Sequence, residues 1–449
     1  MRGQAVRKAG KKVAKKARNE TIRTLDTAAR GFVTELARLR ATHESDTARA
    51  EAAASAIVAG VRRRGDAALI AYAKKFDGIA LSPKTMRVSD AELDAAVDAM
   101  PIVVVRALRM AARRIRVFHS KQRQVSWKFR DAAGLTLGQQ ITPLRRVGVY
   151  VPGGKGAYPS SVLMNAVPAR VAGVDEILMV SPAGPDGHPP AVLAAARIAG
   201  VDAVYRIGGA QAMAALAYGT RSIPRVDKIV GPGNAYVQAA KRQVYGRVDI
   251  DATAGPSEVL VIADTSARPD YVAADLLAQA EHGSGDECAI LLTPSKRLAA
   301  AVAASIDAQL PQLPRRRDIA RVLKRRSALI VVRNLDEAIS LAEDIAPEHL
   351  ELQVRGATRL AKRVRNAGAI FCGDYAPVPL GDYLAGPNHV LPTGGSARFF
   401  SPLGVYDFVK RTSTVSATAR ALAELAPAVE TLAELEGYTA HAAAIRLRH

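Results

Sequence analysis

Residues 146–154 read RVGVYVPGG, a strand-length apolar run that ends in a glycine-rich turn. Similar runs follow at regular intervals, as EILMVSP (176–182), VDAVYRIGG (201–209) and VDKIVGPGN (226–234), and helical patterns separate them. This alternation is typical of βαβ units, in which helices cover both faces of a parallel sheet. We therefore predict an α/β domain that begins near residue 150.

A second series of the same kind follows Asp249. Its strand-length runs are EVLVIAD, CAILLTP, ALIVV, HLELQV and AIFCGD, and helical patterns again lie between them. Two successive series predict two similar layered domains that face a cleft. Residues 25–125 and the C-terminal stretch are predicted to be helical, because their apolar positions recur at intervals of three and four. Residues 375–402 are rich in Gly and Pro and lack periodicity, which is typical of a functional loop.

The composition indicates a globular chain. With 449 residues and 49% apolar composition, the sequence is long enough for two or three domains with substantial cores. No run approaches the roughly 18 apolar residues that span a bilayer, and the start lacks a secretory signal, so we expect a cytoplasmic location. Cys288 and Cys372 lie within strand-like runs and are predicted to be buried, without a disulfide or nucleophilic role.

The net charge of +21 raises the possibility of nucleic-acid binding. Residues 1–20 carry eight Lys and Arg against the single Glu20, so one third of the charge lies in this tail. The tail is consistent with a solvated extension, an upstream mis-start or a nucleic-acid arm. A second basic stretch, residues 106–130, falls on a helical pattern and is interpreted as a solvated face or a subunit contact. Aromatic residues, only 5% of the chain, are not interleaved with these charges as stacking platforms would be, so nucleic-acid binding is not expected.

Three turns after predicted strands are rich in glycine: residues 151–154, 207–211 and 230–236. Glycine permits close approach of a ligand to the backbone, and a following helix offers free amides to a phosphate. The last turn is half a dinucleotide fingerprint, since Gly231 and Gly233 are present but Tyr236 replaces the third glycine. Such a turn either only connects a strand to a helix or forms part of a binding site for a phosphate-bearing cofactor.

The eight histidines fall into two groups. His43, His119, His188 and His449 lie in charged or loop surroundings and are predicted to be exposed. The other four, at the ends of elements or in the long loop, are the candidates for chemistry: His282, His349, His389 and His441.

Gln279 and His282 are three residues apart near the end of a predicted helix, so their side chains share one face. Gly283 is the predicted helix stop. The pair is suited to donate two ligands to a zinc ion, and the alternative is an ordinary polar helix end. Asp382 and His441 are the best further donors by residue type.

Glu348 and His349 stand at the predicted start of a strand, after the helical pattern of residues 335–345. Adjacent residues of an extended segment point to opposite sides, so the two side chains need not touch. Either they flank a substrate as an acid–base pair, or they form an exposed strand start.

Eight stretches resemble the histidinol dehydrogenase family, and they occur in the same order as in that family. They are YVPGG (150–154), GGAQA (208–212), DKIVGPGNAYV (227–237), AGPSEVLVIAD (254–264), AQAEHG (278–283), PEHLEL (347–352), GDYLAGPNHVLPT (381–393) and EGYTAH (436–441). The likeness runs from about residue 21 to the C-terminus and leaves out only the basic tail.

The resemblance implies two incomplete Rossmann-like parallel-sheet domains facing a cleft, with helical N-terminal and C-terminal segments. The implied first α/β domain comprises residues 21–149 and 257–403, and the second, NAD-binding domain comprises 150–256. Residues 404–449 would form a helical tail that contributes to the partner subunit's site, and residues 1–20 a disordered basic extension.

The resemblance also implies a reaction and its cofactors. Members of the family oxidise L-histidinol through L-histidinaldehyde to L-histidine, the last two steps of histidine biosynthesis, with two NAD⁺ and one zinc ion per subunit. An intertwined homodimer with shared active sites is implied as well. The same resemblance makes four residues the zinc ligands, the last of them supplied by the partner subunit: Gln279, His282, Asp382 and His441.

Further roles follow from the resemblance position by position. His349 resembles the general base that deprotonates the alcohol, and Glu348 resembles the residue that activates water against the aldehyde. His389 would shape the site. Positions that line the NAD site are Tyr150, Gln211 and Asn234. Substrate-binding positions are Ser257, Gln279, His282, His349, Asp382, Glu436 and His441.

The alternative within the superfamily is an enzyme that uses the same NAD and zinc apparatus on another primary alcohol, such as a sulfonated propanediol. Glu436 weighs against this alternative, because a carboxylate suits a cationic group and repels a sulfonate.

Overall fold

The computed structural model describes residues 21–40, 44–153, 156–282 and 285–449. The predicted disordered extension at residues 1–20, together with His43 and Gly283, lies outside the described residues. The strands are β1 (Arg23–Asp26), β2 (Trp127–Arg130), β3 (Thr136–Pro143), β4 (Arg146–Tyr150), β5 (Glu176–Val180), β6 (Ala203–Tyr205), β7 (Lys228–Val230), β8 (Asp249–Ile250), β9 (Glu258–Ala263), β10 (Cys288–Thr293), β11 (Ala328–Val331), β12 (His349–Gln353), β13 (Ala369–Cys372) and β14 (Val409–Ser416).

Helices connect most of these strands. They are α1 (Phe32–Arg40), α2 (Glu44–Arg64), α3 (Asp66–Tyr72), α4 (Asp90–Asp98), α5 (Ile102–Ser120), α6 (Pro159–Ala172), α7 (Pro190–Ala199), α8 (Gly209–Tyr218), α9 (Ala235–Val244), α10 (Pro269–Ala280), α11 (Lys296–Gln309), α12 (Arg316–Arg326), α13 (Leu335–Ile345), α14 (Ala357–Ala361), α15 (Val378–Leu380), α16 (Ala419–Leu435) and α17 (Thr439–Arg446). Across the described residues, no helix is both long enough and apolar enough to cross a membrane.

The chain folds into two compact units. The described residues of the first unit are 21–40, 254–282, 285–380 and 391–402, and those of the second are 44–153, 156–253, 381–390 and 403–449. The sequence-based boundaries placed all of residues 21–149 in the first domain, whereas in the structure residues 44–149 belong to the second unit. The physical reason is packing: α2 packs on α8 and α9, α4 on α7, and α5 on α6.

The first unit is built on a parallel sheet with the strand order β1-β11-β10-β9-β12-β13. Its central strands are continuous apolar runs such as EVLVIA and CAILLT, as expected for strands that helices cover on both faces. Taking β9 as the first strand of its series, the order from β11 to β13 is 3-2-1-4-5, the order of the first five strands of a Rossmann fold. The short strand β1 extends the far edge.

The second unit contains a parallel sheet with the order β6-β5-β4-β7-β8. Counted from β4, this order is again 3-2-1-4-5. The sixth strand of a complete Rossmann fold is absent from both series among the described residues. The prediction of two incomplete Rossmann-like parallel-sheet domains with helical segments at both chain ends is therefore confirmed.

Two local predictions were incomplete. Residues 25–125 were expected to be helical throughout, but β1 reaches Asp26 because its backbone pairs with β11. The second unit also contains an antiparallel sheet of order β14-β3-β2 that the sequence analysis did not predict. These strands are mostly exposed and lack the apolar runs on which strand prediction depends.

Two histidines were assigned wrongly as exposed. His119 and His188 are buried, and each ring bonds to a backbone carbonyl, that of Ile115 at 2.8 Å and that of Ser181 at 3.0 Å. Burial lowers the pKa of both rings. Of the two cysteines, Cys288 is buried as expected, whereas Cys372 is only half-buried because it lies on β13 at the sheet edge.

Candidate active site

Several of the candidate polar residues lie at one edge of the first sheet. The neighbouring parallel strands β9 and β12 both begin there, with His349 in register with Val259. Ser257 directly precedes β9, and Glu348 directly precedes β12. This is the amino edge of the sheet, opposite to the carboxyl edge at which parallel sheets usually place ligands.

Glu348 is the hydrogen-bonding centre of this edge. Its Oε2 accepts a hydrogen bond from the Ser257 hydroxyl at 2.6 Å and another from the backbone N–H of Glu258 at 2.9 Å. The carboxylate is buried, and two donors to one oxygen stabilise its ionised form. The start of β12 is therefore not an exposed strand start.

His349 is held in one tautomer. Its Nδ1 lies 3.0 Å from the carbonyl oxygen of Glu258, and a carbonyl only accepts, so Nδ1 carries the proton. In the neutral ring Nε2 then carries the lone pair, as a general base requires. The sequence did not require the adjacent side chains to touch, but His349 Nδ1 lies 3.6 Å from Glu348 Oε2. A carboxylate at this distance favours the protonated imidazole once it has accepted a proton.

Glu258 also belongs to this edge of the sheet, although the sequence did not indicate it. Its side chain accepts a hydrogen bond from the backbone N–H of Gly394 at 3.0 Å. Burial, reinforced by the negative charge of Glu348, raises the pKa of Glu258 to about 7. Its position next to Ser257, at the start of a central strand, could have pointed to it. A single carboxyl in an apolar run, however, has no motif spacing that would mark it as a site residue.

Gln279 and His282 belong to the same edge, because α10 follows the carboxyl end of β9 and runs back towards the strand starts. The helix ends at Ala280, two residues before His282. Gln279 is 2% exposed, and neither its Oε1 nor its Nε2 has a hydrogen-bond partner among the described residues. His282 is exposed and donates from Nδ1 to the Gln279 carbonyl at 3.0 Å, which leaves Nε2 as its lone-pair nitrogen.

The second unit holds the three positions assigned to NAD. Tyr150 is the last residue of β4, Gln211 lies in the first turn of α8 and Asn234 precedes α9. All three lie at the carboxyl edge of this sheet, Tyr150 at the end of a strand and the other two after strands. Burial raises the pKa of Tyr150 to about 12, and its neutral phenol accepts a hydrogen bond from Gly209 N–H at 3.4 Å.

Asn234 caps α9. Its Oδ1 accepts hydrogen bonds from the N–H groups of Tyr236 and Val237, both at 3.1 Å. This side chain begins the helix that follows the predicted half fingerprint.

The remaining candidates also lie in the second unit. Asp382 is half-buried in a π-helical turn, Gly381–Ala385, and His389 bonds through Nδ1 to the Asp382 carbonyl at 3.0 Å. Glu436 follows α16, His441 lies in α17, and both are exposed. The predicted zinc ligands thus divide into Gln279 and His282 in the first unit and Asp382 and His441 in the second. Among the described residues of one chain, no three His, Cys, Asp or Glu side chains form a metal-binding group.

Candidate acid–base residues at the edge of one parallel sheet, and glycine-rich turns after the strands of another, fit the class of α/β enzymes. The family model described as histidinol dehydrogenase matches residues 40–449. The histidinol dehydrogenase of Bordetella parapertussis is 53% identical over 432 residues, which cover 95% of this chain and 97% of the relative. The histidinol dehydrogenase of Aquifex aeolicus is 54% identical over 394 residues, covering 87% and 91% of the two chains.

A solved structure agrees with these relatives. The crystal structure of histidinol dehydrogenase from Elizabethkingia anophelis matches with a TM-score of 0.90 and 35% identity, covering 96% of this chain and 98% of that one. The chain belongs to the histidinol dehydrogenase family and is an oxidoreductase. The alternative of another primary alcohol is not favoured by these relatives.

Proposed function

We propose that this protein oxidises L-histidinol to L-histidine through L-histidinaldehyde, with two NAD⁺ and one zinc ion per active site, in the cytoplasm. Histidine biosynthesis is the process implied by membership of the family. The observation that carries the proposal is the edge formed by Ser257, Glu348 and His349, where a tautomerically fixed imidazole lies beside a buried carboxylate.

In the first oxidation, His349 Nε2 takes the proton of the substrate hydroxyl as the carbon loses a hydride. NAD⁺, when bound, supplies the hydride acceptor for both oxidations. The imidazolium that forms is stabilised by the Glu258 carbonyl at 3.0 Å and by the Glu348 carboxylate at 3.6 Å. This step yields the aldehyde, one NADH and one proton.

In the second oxidation, Glu348 takes a proton from water, which adds to the aldehyde carbon. The hydrated carbon then loses its second hydride, and the products are the carboxylate, a second NADH and two protons. The Ser257 hydroxyl and the Glu258 N–H fix the orientation of Glu348. The same hydroxyl retains lone pairs with which it would hold the substrate.

The residues of the first unit fit a zinc ion. A buried amide with no hydrogen-bond partner among the described residues is costly, and a metal at Gln279 Oε1 would remove the part of that cost that is due to the oxygen. His282 Nδ1 is engaged by a carbonyl, which is the usual arrangement for an imidazole that ligates through Nε2. Asp382 and the partner's equivalent of His441 would complete the shell. Zinc, when bound, supplies a Lewis acid that orients the amino and imidazole groups of the substrate.

Exposed apolar side chains support a homodimer in which the C-terminal tail reaches the partner's site. Glu436 and His441 are exposed in the single chain, where neither position could shield a substrate from water. The surface around them includes exposed large apolar side chains, which are typical of a protein interface. The exposed residues are Leu432, Leu435, Tyr438 and Leu447.

The deciding measurement is the yield of NADH per molecule of L-histidinol, in zinc-loaded protein and after treatment with a chelator. We expect a yield of about two in the loaded protein and a loss of at least about 100-fold in rate after chelation, with recovery on addition of zinc. A yield near one, or undiminished turnover without metal, would contradict the proposal.

Shared active sites are tested by mixing two inactive variants, Glu348→Gln and His441→Ala, after dissociation and reassociation. A hybrid dimer regains one intact site, so the mixture should recover roughly a quarter of the wild-type rate of histidine formation. Each variant reassociated alone is the control. A mixture no more active than these controls would exclude a site that combines residues of both subunits.

A further inference from the structure

A buried ion pair in the second unit plays no part in the proposed chemistry. Lys241 lies on α9, its side chain is 1% exposed, and its ammonium pairs with the carboxylate of Asp251, whose side chain is 8% exposed. Lysine is almost never fully buried unless it has a specific partner, and burying two charges gives little net stability. The position of the pair therefore calls for an explanation other than stability.

Both charged side chains form hydrogen bonds to one residue of the glycine-rich turn after β7. Asp251 Oδ2 accepts a hydrogen bond from the backbone N–H of Gly231 at 2.7 Å. Lys241 Nζ donates to the carbonyl of the same glycine at 3.1 Å. The pair thus fixes both peptide groups of Gly231, which is the first residue of the GPGN turn that ends at Asn234.

The turn has little freedom at this point. Gly231 has φ +113°, a conformation that other residues rarely adopt, and a Cβ placed there would lie 2.2 Å from the carbonyl oxygen of Tyr150. The turn is consequently pressed against the end of β4, at the point where the strand order of the sheet reverses. Tyr150 and Asn234, two of the positions assigned to NAD, flank this contact.

We propose that Lys241 and Asp251 are positioning residues for NAD⁺, because their ion pair holds the Gly231–Asn234 turn in its binding conformation before the cofactor arrives. The inference rests on the proposed NAD⁺-dependent function and deepens it. A turn that is ordered in the free protein spares the cofactor the entropic cost of ordering it. The pair acts through backbone groups and touches no reacting atom, so it should affect cofactor affinity far more than the chemical steps.

The test uses the zinc-loaded enzyme with Lys241→Met, Asp251→Asn and the double variant that combines them. We expect the KM for NAD⁺ and the dissociation constant from calorimetry to rise about tenfold, with kcat at saturating NAD⁺ and the KM for histidinol within about twofold of wild type. The double variant leaves no unpaired buried charge, so it remains informative where a single variant folds poorly.

A control exists at the opposite edge of the same sheet. Lys228, the first residue of β7, is buried, and its ammonium lies 2.9 Å from Asp249 at the start of β8 and 3.9 Å from Asp407. The Asp249 side chain is 52% exposed. The variant Lys228→Met with Asp249→Asn also removes an ion pair from this unit, but at the amino ends of the strands. Its KM for NAD⁺ should stay within about twofold of wild type.

The inference is overturned if folded Lys241 and Asp251 variants keep the wild-type KM for NAD⁺, or if the control raises that KM equally. Hydrogen exchange on the unaltered protein tests it without any variant. The amide protons of Gly231, Tyr236 and Val237 should be protected before NAD⁺ is added, and protection that arises only on binding would contradict a preformed turn. Failure of the wild-type enzyme to bind or reduce NAD⁺ would instead refute the proposed function, so the two failures are distinguishable.

Discussion

The two parallel sheets of this protein share one strand order but carry their polar residues at opposite edges. In the second sheet, the candidate cofactor residues lie at the carboxyl ends of strands and at the starts of the helices that follow them. In the first sheet, Glu348 and His349 lie at the start of β12. The helix α10 ends at the same edge of this sheet. The comparison shows that strand order alone does not decide where chemistry is placed.

The difference has a physical basis in the helix ends. The start of a helix is the positive end of its dipole and suits the phosphates of a dinucleotide. The end of a helix is the negative end, which suits a cation such as zinc or an imidazolium. Each sheet edge therefore favours the charge of the group that we assign to it.

The largest expected effect is that of Glu348→Gln at the amino edge of the first sheet. The amide cannot take a proton from water, so oxidation of added histidinaldehyde should fall by about 10²–10⁴-fold. Oxidation of histidinol to the aldehyde should fall much less, because His349 remains. Rates of NADH formation from each substrate provide the measurement.

Asn234→Ser at the carboxyl edge of the second sheet is the matched control for this prediction. Serine retains the helix cap but changes the side chain presented to NAD⁺. It should affect both oxidations alike, and equal losses of both steps in Glu348→Gln would remove the water-activating role.

The second prediction concerns the Gln279 side-chain amide, which has no hydrogen-bond partner among the described residues. If Gln279 donates to zinc, the zinc affinity of Gln279→Leu should be lower than that of wild type by about 100-fold or more. Without metal the variant should be more stable than wild type by about 1 kcal/mol, since leucine does not bury an unsatisfied amide.

Zinc titration and denaturant unfolding in a chelator provide the two measurements, with Gln309→Leu as a control of the same chemistry on α11. An unchanged zinc affinity, or a metal-free variant less stable than wild type, would contradict the assignment of Gln279.

The smallest expected effect is the pH dependence due to Glu258. Its pKa is about 7 in the folded protein against 4.5 as the ordinary value, so the neutral carboxyl stabilises the fold at low pH. As pH rises from 4.5 to 7 the unfolded chain releases this proton and the folded protein keeps it, so stability falls, and the loss is complete above pH 7.

Glu258→Gln should remove this loss. In a chelator, the stability of the variant relative to wild type should increase by about 2 kcal/mol between roughly pH 5.5 and 7.5. A stability difference between variant and wild type that is independent of pH would show that Glu258 has its ordinary pKa.

Much of the fold followed from the sequence. Apolar runs such as EVLVIAD and CAILLTP predicted buried parallel strands, since covered strands must be apolar throughout. Residues 44–149 could not be assigned to their unit, because an amphipathic helix shows that it has a buried face but not which surface that face meets. The exposed strands β2 and β14 gave no apolar signal, because they have no face buried in a core.

The sequence by itself determined the residue types of the site, the order of the two α/β series and the spacing of Gln279 and His282. Only the tertiary structure decided that Glu258 lies close enough to the buried Glu348 to be affected by its charge, that His349 is fixed as the Nδ1–H tautomer, and that Lys241 and Asp251 both hydrogen-bond to Gly231. The hydrogen bond that fixes His349 joins residues 91 positions apart, a separation that no local pattern encodes. Residue propensity and apolar periodicity report on one or two turns of the chain. The pKa of a side chain, the tautomer of a histidine and the preorganisation of a turn depend instead on the groups that folding brings within a few ångströms.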